Sequence, residues 1–336
     1  MDGREIEMGF SGPGLDERIL TLLREASGEY LSGSLLSNRL SVSRSTVWKQ
    51  VRELRRQGYE IEAHPHLGYR LIYSPDLLLP QEVRHGLKAA TMGRQVLSYQ
   101  RVRSTNEIAL QIAQNGAPEG TLVVAEEQTA GRGRLGRAWH SPPGVGLWVS
   151  LILRPQMPPS RVFQLAICGA LAAAETVYQR AHLSVKVKWP NDVLVKGKKL
   201  AGVLTETQAD LDLVHFVVLG WGINVNQKSQ DFPEVLRREA TSIRAELGRS
   251  ISRLHLLQDL LLKFEEMYGQ FQDHGLAPFL DRWRQLSWVL GQRVTVKVGG
   301  KKFSGLAVDI EETGALVLEE ASGRRQRLLA GDISFK

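Results

Sequence analysis

The chain has 336 residues, 43% hydrophobic and 24% charged, which is enough apolar material for roughly two or three globular domains and excludes disorder of the whole. With one cysteine there is no disulfide framework, as suits a reducing cytosol; Met1 to Gly14 lacks the apolar stretch of a secretory signal, and no apolar run approaches the roughly 18 residues needed to cross a bilayer. A soluble cytoplasmic protein without a membrane partner is therefore expected. The net charge of +7 suits polyanionic partners such as nucleic acid, nucleotides or acidic proteins.

After a Gly-containing leader, taken as residues 1–14, Leu15 to Ala26 has helical periodicity. Ser34 is positioned to cap a short helix ending near Leu40, and Ser43 to cap a third running to Gln57. The third carries Arg44, Lys49, Arg52, Arg55 and Arg56 on an outer face, while Val47, Val51 and Leu54 recur at helical spacing toward a core. Two extended pieces follow, Tyr59 to Ala63 and Tyr69 to Tyr73, joined by a turn containing Pro65 and Gly68. Helices followed by a hairpin describe a winged helix-turn-helix. In such a module the N-terminal part of the third helix enters the major groove, making Ser43, Arg44, Ser45, Thr46, Trp48 and Lys49 the expected DNA contacts.

Ser74 to Pro80, with two prolines, reads as a linker. Beyond it strands and helices alternate: Gln95 to Arg101, a helix over Asn106 to Asn115, Thr121 to Glu126, Leu147 to Leu153, then a long helix from Ser160 to His182 that carries Cys168 as a packing residue. The pattern predicts an α/β domain whose strands are largely antiparallel. From about Leu290 short strands with glycine turns, Arg293 to Val298, Lys302 to Ile310 and Ala315 to Glu319, predict a small β barrel.

Gly131-Arg132-Gly133-Arg134-Leu135-Gly136-Arg137 nominally fits the dinucleotide fingerprint, but Ser141-Pro142-Pro143-Gly144 leads into another strand and the first acid after the loop is Glu175. Guanidinium groups and bare backbone N–H groups remain, and both attract phosphate. Three arginines within six residues repel one another without an anion, so this loop is expected to order on its ligand.

The Gly131 to Arg137 loop with Trp139 and Ser141-Pro142, the block Lys188-Trp189-Pro190-Asn191-Asp192, the block Lys199-Leu200-Ala201-Gly202, and Gly222-Ile223-Asn224-Val225-Asn226 resemble, in this order, the motifs of biotin protein ligases. With the N-terminal and C-terminal domains, the resemblance is to the bifunctional ligase-repressor class. It implies a central catalytic domain of class II aminoacyl-tRNA synthetase-like α/β fold and a C-terminal SH3-like β barrel. The expected boundaries are 15–75 for the DNA-binding domain, 76–287 for the catalytic domain and 288–336 for the C-terminal domain.

The resemblance further implies biotin against Ser104, Thr105, Asn106, Gln128, Arg132, Gly133, Arg134 and Lys199, and nucleotide against Arg134, Arg137, Trp139 and Asn224. Ser104 to Glu107 is also a capping-box sequence. Lys199, Arg132 and Arg134 would offset charge as the biotin carboxylate meets the α-phosphate of ATP with Mg2+, and Asp192 would orient the attacking amine of the acceptor lysine. Trp139 would stack on adenine or pack on the sheet, and Asn224 to Pro233 would form a second loop over the adenylate. Leu135 replaces an arginine found in some relatives. Implied partners are a biotin carboxyl carrier protein, operator DNA, and a second copy of the chain when biotinyl-5'-AMP is bound. A non-catalytic biotin-sensing transcription factor and a lipoate ligase are the alternatives.

Overall fold

A computed structural model describes residues 14–335; the leader expectation falls, but for Gly14, outside them. The chain divides into two compact units, Met1–Asp76 and Leu77–Lys336.

In the first unit, α1 (Leu15–Glu25) buries Ile19, Leu20 and Leu23, and α2 (Gly33–Leu40) buries Leu36 and Leu40. The cap of α2 is Ser32, not Ser34: the Ser32 hydroxyl accepts from the Leu35 N–H at 3.1 Å, and Ser34 already lies inside the first turn. Helix α3 (Arg44–Arg56) is capped by Ser43, which accepts from the Thr46 N–H at 3.0 Å, and it buries Val47, Val51 and Leu54 as their spacing requires. Strands β1 (Glu60–His64) and β2 (Gly68–Tyr73) pair antiparallel. Leu31 extends the pair by bonding to Tyr69 in both directions at 2.9 Å. Gly68 makes that junction possible, because at φ +112° a Cβ would lie 2.0 Å from the Leu31 carbonyl oxygen. One basic residue leaves the expected outer face: Arg55 donates from Nε to the Ile61 carbonyl at 2.8 Å and ties α3 to β1.

The second unit opens with α4 (Pro80–Arg84), β3 (Val96–Val102), α5 (Thr105–Gln114), β4 (Leu122–Gln128), β5 (Gly146–Leu153) and α6 (Val162–Ala181). It continues through β6 (Val185–Lys188), β7 (Asp192–Val195), β8 (Lys198–Ala209), β9 (Val214–Asn224), α7 (Ile243–Leu247), α8 (Arg253–His274) and α9 (Leu280–Leu286). A seven-stranded sheet results, in the order β3-β4-β5-β9-β8-β7-β6. Only β3 and β4 run parallel, in keeping with the mostly antiparallel expectation.

Strand alternation gives the sheet two different faces. Leu219, Trp221 and Ile223 of β9 face α6 and α8, where the Trp221 indole donates to the Gly169 carbonyl at 3.0 Å and meets Phe264 edge-on at 5.0 Å. Contrary to the sequence expectation, the segment Pro159–Ala181 is long and apolar enough by length and composition to cross a membrane. It is the core helix of this layer, with 78% of its apolar window buried. Cys168 is buried on it and burial pushes its thiol far above the ordinary range, so it packs and does not react. On the opposite face Ala109, Ile112 and Ala113 of α5 close over Val123, Ile152, Phe216 and Val218.

The last segment forms a five-stranded antiparallel sheet, β13-β12-β11-β10-β14, from β10 (Arg293–Val298), β11 (Lys301–Ile310), β12 (Leu316–Glu319), β13 (Arg325–Leu328) and β14 (Asp332–Phe335). It is fastened to the larger sheet by named bonds: the Trp189 indole donates to the Gly314 carbonyl at 3.0 Å, and the Gln164 amide donates to the Thr313 carbonyl at 2.9 Å.

Glu126 of β4 and Arg253 of α8 form a buried ion pair at 2.7 Å, and the second Glu126 oxygen accepts from the Leu78 N–H at 3.2 Å. Removing the carboxylate takes from the buried guanidinium its partner at 2.7 Å and from the Leu78 N–H its acceptor. Glu126→Ala is expected to lower unfolding free energy by about 3–5 kcal/mol, measured by urea titration, whereas Glu266→Ala, at an exposed pair with Lys263, is expected to cost under about 1 kcal/mol.

Candidate active site

The face that α5 covers at one end is bare at the other, because glycines stand where side chains would rise. Gly202 of β8 pairs with Gly222 of β9, and Gly220 pairs with Leu204 of β8 and Ser150 of β5. A Cβ at Gly220 would lie 2.2 Å from Asn106 Oδ1, and one at Gly222 would lie 2.5 Å from the Trp139 ring. This floor is the base of a cavity of about 580 Å3, a size suited to a small organic ligand.

Ser104, Thr105 and Asn106 enter from the N-terminus of α5 and are buried. Ser104 stands at the N-cap position, yet its side chain makes no cap hydrogen bond, so the capping box read from the sequence does not form. Glu107, its intended partner, instead faces Arg103 and Arg132 at 3.4 and 3.7 Å. Gln128 is held at both ends of its amide: Oε1 accepts from the Thr105 N–H at 2.9 Å and Nε2 donates to Ser141 Oγ at 2.9 Å. Asn106 donates from Nδ2 to Glu206 at 2.7 Å, and its Oδ1 lies 2.5 Å from the Ser150 hydroxyl. These linked amides and hydroxyls present fixed donors and acceptors beside an apolar strand surface.

Gly133 and the three arginines line the cavity from a compact loop, closed by backbone pairing of Arg132 with Ala138. Carboxylates from distant segments meet the guanidinium groups and offset their mutual repulsion. Arg132 lies 3.4 Å from Glu206, and Arg137 pairs with Asp332 of β14. Arg134 is more enclosed, donating to Asn191 Oδ1 at 3.2 Å and the Gly331 carbonyl at 3.3 Å. Burial pulls its pKa below the usual guanidinium value, while Asp332 and Asp192 oppose that shift.

Lys199 belongs to strand β8, just beyond the turn Lys196-Gly197, where both φ angles are positive. Lys198 is exposed, and a register shift in the β7–β8 pairing between Lys199 and Ala201 turns Lys199 to the cavity side that Gly202 shares, where its ammonium lies 2.8 Å from Asp192 and 5.1 Å from the Trp139 ring centroid. Trp139 packs on Gly222, the burial alternative of the two readings, and remains partly accessible from the cavity. Trp139 Nε1 and His140 Nε2 are buried without hydrogen-bond partners among the described residues, and both residues line the cavity. Asn224 lines it too, but its amide bonds internally to the Thr241 carbonyl at 3.0 Å and to Gln227 at 3.2 Å. The following segment is also built in: Asn226 and Gln227 are buried, and Phe232 and Leu236 line the cavity.

In the first unit Ser43, Arg44, Ser45, Trp48 and Lys49 are exposed and Thr46 is half-buried, so these residues share the start of α3 as a surface. The Trp48 ring is 53% exposed, with the Arg52 guanidinium 5.7 Å from its centroid. Such a surface is basic, aromatic and unoccupied by core contacts.

The profile of the biotin/lipoate A/B protein ligase family matches residues 98–224, an HTH domain profile matches 16–70, and a biotin protein ligase C terminal domain profile matches 289–336. The bifunctional ligase/repressor BirA of Bacillus spizizenii is 42% identical over 321 residues, spanning 96% of this chain and 98% of that one. Its counterpart in Escherichia coli is 30% identical over 319 residues, spanning 95% and 96%. Among solved structures, a biotin protein ligase from Aquifex aeolicus in complex with biotin and ATP matches with a TM-score of 0.63 at 29% identity, covering 72% of this chain and 99% of that chain. The chain belongs to the family of bifunctional biotin ligase/repressors. It has the family's three parts: an N-terminal HTH domain, a central biotin ligase fold and a C-terminal β-rich domain.

Reading the sequence missed Glu206, Asn191, Asp332 and the role of Gly220 in this ligase fold. Glu206 had a signal, since alternation from Gly202 through Leu204 places it on the same face of β8. Asp332 had none, lying almost two hundred residues beyond Arg137. Gly222→Ala is expected to push Trp139 off the floor and cost about 1–3 kcal/mol of stability. The difference fluorescence spectrum between this variant and the unsubstituted protein should vanish in a Trp139→Phe background; a difference that persists there contradicts the placement of the ring.

Proposed function

We propose that the protein is a biotin protein ligase that forms biotinyl-5'-AMP from biotin and ATP and transfers biotin to a lysine of a biotin carboxyl carrier protein, and that it also represses transcription of biotin genes through its HTH domain. The observation that carries this reading is the convergence of Lys199, Asp192 and the Arg132 to Arg137 loop around a cavity floored by glycines.

Biotin has an apolar bicycle and chain and a ureido group that needs donors and acceptors. The bare strand surface suits the first, and Ser104, Thr105, Asn106 and Gln128 suit the second. Gly133 allows backbone approach, and Arg132, Arg134 and Lys199 attract the biotin carboxylate and the α-phosphate. Arg134, Arg137, Trp139 and Asn224 line the nucleotide end, with Mg2+ arriving on ATP. A carboxylate oxygen attacks the α-phosphorus, a new P–O bond forms, and the bond to pyrophosphate breaks with its electron pair on the leaving group. The acceptor amine then attacks the acyl carbon, AMP departs, and Asp192 orients the amine and eases loss of its proton. Lys199 holds Asp192 in place beforehand, which keeps the two catalytic groups in register.

The first unit serves as a winged helix-turn-helix that sets Ser43, Arg44, Ser45, Thr46, Trp48 and Lys49 against operator DNA, with β1 and β2 as the wing. Boundaries at 15–75, 76–287 and 288–336 suit this division, with a class II synthetase-like catalytic domain and an SH3-like C-terminal domain. The protein works in the cytoplasm, where its substrates and DNA are found.

Lys199→Ala is expected to slow adenylate formation by about 3 kcal/mol in the barrier, roughly a hundredfold. Lys198→Ala, at an exposed position, should leave the rate near that of the unsubstituted protein. Pyrophosphate release at saturating ATP and biotin measures both, and equal rates would contradict the assignment. Product analysis by mass spectrometry in the same assay separates the alternatives: a sensor makes no adenylate, and a lipoate ligase prefers lipoate in direct competition.

Biotinyl-5'-AMP is expected to promote homodimerisation and binding to an operator of two half-sites, because two linked helix-turn-helix contacts exceed one in affinity. Sedimentation and DNA titration with and without the adenylate test this link. Identical curves would remove the adenylate as corepressor.

A further inference from the structure

We propose that Lys188 is an additional phosphate-binding residue of this site, contacting the nucleotide's phosphoryl oxygens at the reacting centre. The inference rests on the ligase reading and assigns a role that the motif containing Lys188 does not itself supply.

The argument is one of position and unpaired charge. Lys188 is the last residue of β6 and pairs directly across the β6–β7 hairpin with Asp192, whose carboxylate in turn forms an ion pair with Lys199 at 2.8 Å. Residues directly opposite on antiparallel strands project to the same face, so Lys188 borders the same cavity as the reacting groups. Its neighbours are partly neutralised: Lys199 by Asp192, Arg137 by Asp332, and Arg132 by Glu206 and Glu107. Lys188 has no carboxylate bound to it among the described residues. Its ammonium instead lies 5.4 Å from the centroid of the Phe335 ring. Burial lowers its pKa, with Lys199 and Arg137 adding to that effect and Asp192 and Asp332 opposing it. A partly desolvated ammonium with no carboxylate in direct contact gains more from an arriving phosphate than one already paired. The compact, rotatable point charge of lysine suits phosphoryl oxygens, and the Phe335 ring face holds it without neutralising it.

The test uses the full chain and ATP itself. Lys188→Met is expected to raise the KM for ATP in adenylate formation about tenfold to a hundredfold, and to weaken ATP binding measured by calorimetry to the same degree. Biotin affinity should stay within about twofold, which shows that the fold and the biotin end are intact. Lys188→Arg should recover part of the ATP affinity. Lys186→Met removes a nearby lysine whose ammonium is bonded to the Gln285 carbonyl at 3.0 Å, and it should leave ATP binding unchanged. ATP affinity in Lys188→Met equal to that of the unsubstituted protein, or an equal loss in Lys186→Met, overturns the proposal alone. Failure of the unsubstituted protein to bind ATP overturns the ligase reading and this proposal together.

Discussion

The site depends on close approach to bare strands. Gly202, Gly220 and Gly222 on two central strands leave room for Lys199, Asn106 and Trp139 to lie against backbone. A methyl group at Gly220 would occupy the position of Asn106 Oδ1, and one at Gly222 would enter the indole of Trp139. The opposite face of β9 is as full as this one is empty, with Leu219, Trp221 and Ile223 buried against helices. One strand thus serves as both core and floor, because its residues alternate in size as well as in direction.

The second organising element is charge held in pairs. Lys199 with Asp192, Arg132 with Glu206 and Glu107, and Arg137 with Asp332 bring together side chains from separate segments. Exposed pairs of this kind contribute little to stability, so their value lies in orientation. Each acid holds its cation beside the cavity. Asp332 and the Gly331 carbonyl bring the C-terminal sheet into this arrangement, as both meet arginines of the loop. The small sheet therefore contributes Asp332 and Phe335 to the wall of the cavity.

The basic surface on α3 follows different physics. Its apolar residues are spent on holding three helices and a hairpin together, which leaves Arg44, Trp48 and Lys49 free at the surface. Arg55 does not share that freedom, since the Ile61 carbonyl claims it. Within one helix, arginines of equal formal charge thus divide between scaffold and surface according to what lies beside them.

Periodicity, glycine and proline punctuation and ordered motifs were enough to place α1 to α3 with their hairpin, β3, α5, β4, β5, α6 and the first strands of the C-terminal sheet, and to single out Lys199 and the arginine loop, while α4, α7, α8, α9 and the strands from β6 to β9 were not individually placed. These signals are local, because side-chain direction repeats with the backbone period. Local signals misassigned Ser34 as a cap and Ser104 as half of a capping box, since a sequence pattern does not reveal which hydroxyl has extended backbone angles or a neighbour to meet. Glu206 and Asp332 lie on strands distant in sequence from the loop they neutralise, and the glycine floor needs the register of β8 against β9 and the approach of Asn106 and Trp139 from other segments, so only tertiary structure decided them. Sequence determined which charges and which bare positions the chain possesses; strand order determined which of them meet, because register brings Gly202 opposite Gly222 and Lys188 opposite Asp192.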